Sequence, residues 1–359
     1  MLVSGAECLK GQERLKNCRV QSLCDLLTLN RVDINSHFIH LLCFDTLLGF
    51  TEIIQNNISL PFVSCFYEDL EERFLKEHNI KYTLDYDLIS TVAMKDKLKA
   101  DKAFMVLCDA NSVFKSKMNS QKLQVSVCSG ITIIGYNLLG EFIFSQHSKN
   151  KDFSSISSKL LSYARNFDVL PSSPANASII IESVDKSCQY DLNSYDFMIC
   201  KVKESLKNFV EQNDNAPMKI TNKGIVAYYG YQAKEKFMEY LLSLVEWLNN
   251  QNIDPNILEK VYALKIKMLR KSMISGTSSL NRTEFAESLS TLNMLNPTLE
   301  LERLAEGFKL SGNKFRNIVR LLGTVDNNLH QKEKYMFDVI NAFNNAFQYE
   351  EQLIEEFLK

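Results

Sequence analysis

The chain has 359 residues, more than one hydrophobic core usually encloses, and its 45% apolar and 23% charged composition is that of a globular protein in two domains. A formal net charge of −2 offers no broad positive field for nucleic acid or an anionic membrane. Charges in MLVSGAECLKGQERLKN stand where a secretory leader needs an apolar stretch, and no run reaches the ~18 apolar residues of a membrane span, so the expectation is a cytoplasmic protein.

In chain order, Val20 to Leu29 reads as an amphipathic helix beginning just after Cys18, with Leu23, Leu26 and Leu27 on one face. Asp69 to Asn79 is a charged helix that buries Leu70, Phe74 and Leu75. Phe104 to Cys108 is short and apolar enough for a buried strand. Leu123 to Cys128 and Gly130 to Tyr136 follow as strands, the second rich in β-branched residues. Asn137 to Gly140 is a turn, and Glu141 to Ser145 returns as its hairpin partner. Asp152 to Arg165 reads as a helix and Ser178 to Glu182 as a last strand, with a Pro-Ser-Ser-Pro breaker between them. From about Asp191 the spacing becomes helical, first in Ile199, Val202, Leu206 and Phe209, then in Phe237, Leu241 and Leu244 beside the only tryptophan, Trp247. Asp254-Pro255 and Asn296-Pro297 are N-cap and N1-proline pairs that predict two further helix starts. The expected division is 1–188 and 189–359, giving an α+β first domain and an all-helical second one.

Nine cysteines are an odd number, and none form a CxxC pair, so most are expected to be reduced and buried. Neither GxGxxG nor GxxxxGK[ST] occurs, and no cofactor is expected. Cys18 is the exception that suggests chemistry, because the N-terminus of a helix carries partial positive charge and favours a thiolate. His37, His40 and Cys43, with Asp45 beyond, have spacing that would share one helix face, and zinc uses such ligands; core residues satisfy the same pattern. Glu68 to Glu72 reads as a solvated acidic helix start. Lys265, Lys267, Arg270 and Lys271 form a basic cluster that could meet an acidic partner or simply face solvent.

Three stretches, in this order, resemble the butirosin biosynthesis protein H family. They are NCRVQSLCDLLTLNRVDI, SGITIIGYNLLGEFIFSQHSKNKDFSSISSKLLSYARN and KSMISGTSSLNRTEFAESL. The resemblance runs from roughly residue 15 to residue 325 and implies a papain-like N-terminal domain followed by a helical one. It also implies amide-forming acyl transfer from a carrier-protein thioester to a small amine, in natural-product biosynthesis. Cys18 falls on the nucleophile's position. The family's histidine falls six residues before Gly135, on Ser129. Its orienting acid falls on Gln146, or on His147 if the turn is one residue shorter. The triad is therefore degenerate. Either His147 acts as a displaced base, or the chain is a catalytically inactive pseudoenzyme serving as a binding or scaffold subunit. A metal-dependent hydrolase using His37 and His40 is the weakest alternative. Expected partners are an acyl carrier protein and an amine, not nucleic acid or membrane, with a homo-oligomer left open.

Overall fold

The computed structural model describes residues 1–10, 12, 14–15, 17–44, 47–55, 58–64, 69–86, 90–113, 128–145, 153–166, 177–185, 192, 194–211, 219–220, 226–249, 253–274, 281–327 and 331–359. Its strands are β1 (Gly49–Gln55), β2 (Ile58–Ser64), β3 (Lys81–Asp85), β4 (Phe104–Asp109), β5 (Cys128–Tyr136), β6 (Phe142–Ser145), β7 (Ser154–Ile156), β8 (Ser178–Ser183), β9 (Lys219–Ile220) and β10 (Val226–Tyr229). The first six helices are α1 (Cys18–Leu29), α2 (Ser36–Cys43), α3 (Leu70–Glu77), α4 (Thr91–Lys99), α5 (Ala110–Val113) and α6 (Ser158–Arg165). Six more follow: α7 (Tyr195–Val210), α8 (Gly230–Leu248), α9 (Pro255–Ile274), α10 (Arg282–Leu295), α11 (Glu302–Asn327) and α12 (Lys332–Leu358). The architecture is mixed, with antiparallel sheets and a C-terminal run of helices.

The chain forms two compact units, residues 1–43 with 68–198, and residues 44–67 with 199–359. This differs from the expected division at 188, because the hairpin of β1 and β2 belongs with the C-terminal helices. The second unit is consequently not all-helical. It holds a four-stranded sheet in the order β2-β1-β10-β9, antiparallel at each pairing. Pro61 sits in β2, an edge strand of that sheet, where a missing N–H is tolerated. On the same strand the Val63 N–H donates to Ser272 Oγ of α9 at 3.3 Å. Phe237, Phe315, Phe343 and Phe347 pack ring on ring in the helical core. Within it Arg282 and Glu350, both fully buried, form a two-pronged pair at 2.7 and 2.9 Å, with Ser311 donating to the same carboxylate.

The first unit is built on a six-stranded antiparallel sheet ordered β3-β8-β4-β5-β6-β7. Helix α1 packs on β5 and β4, and α6 packs on β4. Two local expectations shift here. The segment expected as one helix from Asp152 opens instead with β7, and the helix starts only after Ser157, whose hydroxyl accepts from the Leu160 N–H at 3.3 Å. In the second unit Asp254 caps α9 as expected, its carboxylate accepting from the Asn256 and Ile257 N–H groups. Asn296-Pro297 starts only a 3₁₀ turn, Pro297–Leu299, and the long helix begins at Glu302.

Helix α1 is buried from Cys18 to Leu27, polar residues included. Asn17 caps it, its Oδ1 accepting from the Arg19 N–H at 3.0 Å and the Val20 N–H at 3.1 Å. Helix α3 supplies Glu71 to Arg19, with Nε–Oε1 at 2.7 Å and Nη2–Oε2 at 2.5 Å, and both side chains are almost completely buried. The expected solvated acidic helix start is corrected at this residue. Leu70, Glu71, Phe74 and Leu75 are all buried, so Glu71 belongs to the buried side of α3. Burial opposes the charge on Arg19, but the attraction and hydrogen bonds of Glu71 outweigh it and raise the guanidinium pKa above its ordinary value. A buried pair of this kind costs most when one partner alone is removed. Glu71→Gln is therefore expected to strip about 3–5 kcal/mol of hydrogen-exchange protection from α1 amides, and Arg19→Met with Glu71→Leu together should cost less than the two single changes summed. Exchange mapped by mass spectrometry checks this.

Candidate functional site

The site is defined by how α1 lies on β5. A methyl group placed on Gly130 would stand 2.5 Å from Met105 Cε, 3.1 Å from Arg19 Cα and 3.3 Å from the Cys18 carbonyl oxygen. Only a residue without a side chain lets the first turn of α1 come this close to β5. One helical turn further, Thr132 Oγ1 donates to the Ser22 carbonyl at 2.8 Å. Gly130 and Thr132 therefore face α1. Side chains alternate along a strand, so Cys128 also faces α1, while Ser129, Ile131 and Ile133 face the opposite side of the sheet.

This corrects the reading of Ser129 as a member of the site. Its side chain is fully buried, and its hydroxyl has no hydrogen-bond partner. Cys108 lies directly opposite Ser129 in the ladder, and its thiol sits 3.5 Å from the Ser129 carbonyl oxygen. The face they share also carries Val106 and Ser178, paired across β4 and β8, and Ser178 accepts from Arg165 of α6 at 2.9 Å. Ser129 thus belongs to the layer between the sheet and α6. Gln146 and His147 lie outside the described residues.

Cys18 occupies the first position of α1 and is 8% exposed. The α1 face of β5 carries Cys128, a thiol, and no histidine. In the register, Cys128 is opposite Asp109, which shares its face. The Asp109 carboxylate accepts from the Ser112 N–H at 3.0 Å and from the Ser112 hydroxyl at 2.5 Å, so it also anchors the start of α5. Cys128 and Asp109 were not singled out from the sequence. The signal that could have found them is Gly130 itself, a glycine inside a β-branched strand, which marks a close backbone approach and with it the face of its i−2 neighbour.

Electrostatics tie these groups together. Burial pushes the Cys108 thiol up, and the charges of Cys128, Cys18 and Asp109 push it further, with Arg165 opposing. Cys18 and Cys128 both act on Arg19 in turn. The same helix carries a second buried charge. Asp25 accepts from Gln21 at 2.9 Å and from Arg14 at 2.5 Å; burial raises its pKa, while Arg14, Ser145 and Gln21 oppose that rise. Asp25, at a position two turns beyond Cys18, is part of what holds α1 in place.

The other candidates separate from this site. His37, His40 and Cys43 are buried on α2, and burial followed by the nearby His37 pushes His40 down to about 3, so it is neutral at ordinary pH. Among the described residues, no group of three His, Cys, Asp or Glu side chains is placed to hold a metal ion. The basic cluster on α9 does not form one patch. Lys265 is half-buried, its ammonium 5.3 Å from the Tyr240 ring centre and 5.8 Å from that of Trp247. Arg270 lies against Gly323 of α11. Among the described residues, no helix is long and apolar enough to cross a membrane.

A scan against protein-family models gives no match for this chain, and a search of curated proteins finds no similar protein.

The two neighbouring positions on β5 should respond differently. Gly130→Ala is expected to destabilise the first unit by about 1–3 kcal/mol, because the Arg19 backbone cannot yield as the Met105 methyl can. Ser129→Ala removes an unpartnered buried hydroxyl and should be neutral or stabilising. Hydrogen exchange of β5 amides in the two variants measures both effects.

Proposed function

We propose that the first unit is a papain-like domain whose Cys18 accepts an acyl group from a carrier-protein thioester and passes it to an amine. The observation that carries this reading is the seat of Cys18 at the capped first turn of α1, against a strand of an antiparallel sheet. In this scheme the Cys18 sulfur attacks the thioester carbonyl, the carrier thiolate leaves with a proton, and the amine then displaces Cys18 from the acyl-enzyme. The developing oxyanion would use the Cys18 N–H, since the Arg19 and Val20 N–H groups are already given to Asn17. His147 is the proposed base, because no histidine lies on the described part of β5. Amines attack thioesters readily, so the acceptor asks less of that base than water would.

A second reading has its own support. With Ser129 turned to the α6 side and a thiol in the facing position, the same fold could serve as a non-catalytic binding or scaffold subunit. Incubation with hexanoyl-coenzyme A and with hexanoyl-loaded acyl carrier protein, followed by intact-mass measurement, separates the two. Acyl transfer predicts a single hexanoyl adduct on the full chain, lost in Cys18→Ala and formed roughly 10²-fold more slowly in His147→Ala. A folded wild-type protein that takes no acyl group from either donor overturns the catalytic reading and leaves the scaffold.

A further inference from the structure

Three described cysteines gather around the start of α1, and the sheet sorts them. Cys108 lies on the α6 face with Ser129. Cys18 and Cys128 lie on the other face, where the absent side chain of Gly130 brings the Cys18–Arg19 backbone down onto β5. Both are buried and both are thiols. Disulfides need Cα atoms within about 4.4–6.8 Å, so they form only where two backbones approach closely. The contact at Gly130 is closer than ordinary packing: a glycine methyl would touch backbone atoms of both Cys18 and Arg19. The Arg19 guanidinium, itself paired with Glu71, is near enough to both thiols to interact with them electrostatically. Among the described residues no metal-binding group uses these thiols.

We propose that Cys18 and Cys128 are a redox modification site, oxidised by hydrogen peroxide to an intramolecular disulfide. The Cys18 sulfur attacks one peroxide oxygen as its proton leaves; the O–O bond breaks, and the departing hydroxide takes that proton to become water. The resulting Cys18 sulfenic acid is then attacked by the Cys128 sulfur. The S–O bond breaks, an S–S bond forms, and the second hydroxide takes the Cys128 proton to become water. Two thiols lose two electrons in all, and one peroxide is reduced to two waters. Cys108, aimed at the far side of the sheet, stays reduced. The inference does not rest on acyl transfer, since a scaffold with the same fold would close the same bond. In an active transferase the bond would occupy Cys18 and switch acylation off.

The test treats the full-length protein with a small excess of hydrogen peroxide, digests it without reductant and maps the linked peptides. The expected product joins the Cys18 and Cys128 peptides, disappears with dithiothreitol, is absent from Cys18→Ala and Cys128→Ala, and persists in Cys108→Ala. Iodoacetamide labelling of Cys18 should fall at least about tenfold on oxidation, in line with a thiol consumed by its partner. Cys18 found only as sulfinic or sulfonic acid, unmodified, or linked to any other cysteine overturns the proposal. If a variant fails to fold, the wild-type linkage map decides alone.

Discussion

The first unit depends on one close approach, the first turn of α1 resting on β5 at Gly130. The contact brings a helix backbone to within van der Waals distance of a strand, and it fixes which residues can face Cys18. The Arg19–Glu71 pair holds the same turn from the side of α3, and Thr132 holds it one turn along. Asn17 completes the arrangement from above by satisfying two of the helix's first N–H groups. Remove the close approach and the neighbouring interactions lose their common geometry.

That constraint also explains why the site was only partly legible in the sequence. The helix beginning at Cys18 could be read from its leucine spacing, because burial of one face leaves a periodic trace. The position of Ser129 could be counted back from Gly135, but a count gives a residue number, not a side of the sheet. A strand has period two, so an error of one residue turns the chosen side chain to the opposite face. Cys128, one residue earlier, is on the face that matters, and nothing in its own identity announced it. The deciding cue was the neighbouring glycine, whose meaning depends on what approaches it.

The same distinction runs through the fold. Asp254-Pro255 makes its helix because capping is local, and local chemistry is written in local sequence. Asn296-Pro297 has the same cap-then-proline pattern but yields only a short 3₁₀ turn, with α11 starting beyond it at Glu302. Glu71 looks like one more charge in an acidic run, yet its partner Arg19 is 52 positions away. The hairpin of β1 and β2 joins a unit that resumes at residue 199, a pairing with β10 that no nearby residue signals. What was missed at Glu71 and in the β1–β2 hairpin was non-local, and the buried charges of both units, Arg19–Glu71 and Arg282–Glu350, are of that kind.

The central claim is that Cys128, not Ser129, is the β5 residue that faces Cys18. Placing an imidazole at each position and timing iodoacetamide alkylation of Cys18 at neutral pH tests it most directly. Cys128→His should create a thiol–imidazole pair and speed alkylation of Cys18 by about 10-fold or more, whereas Ser129→His should bury its ring against the α6 layer and leave the rate unchanged. Faster alkylation in Ser129→His with none in Cys128→His would contradict the account.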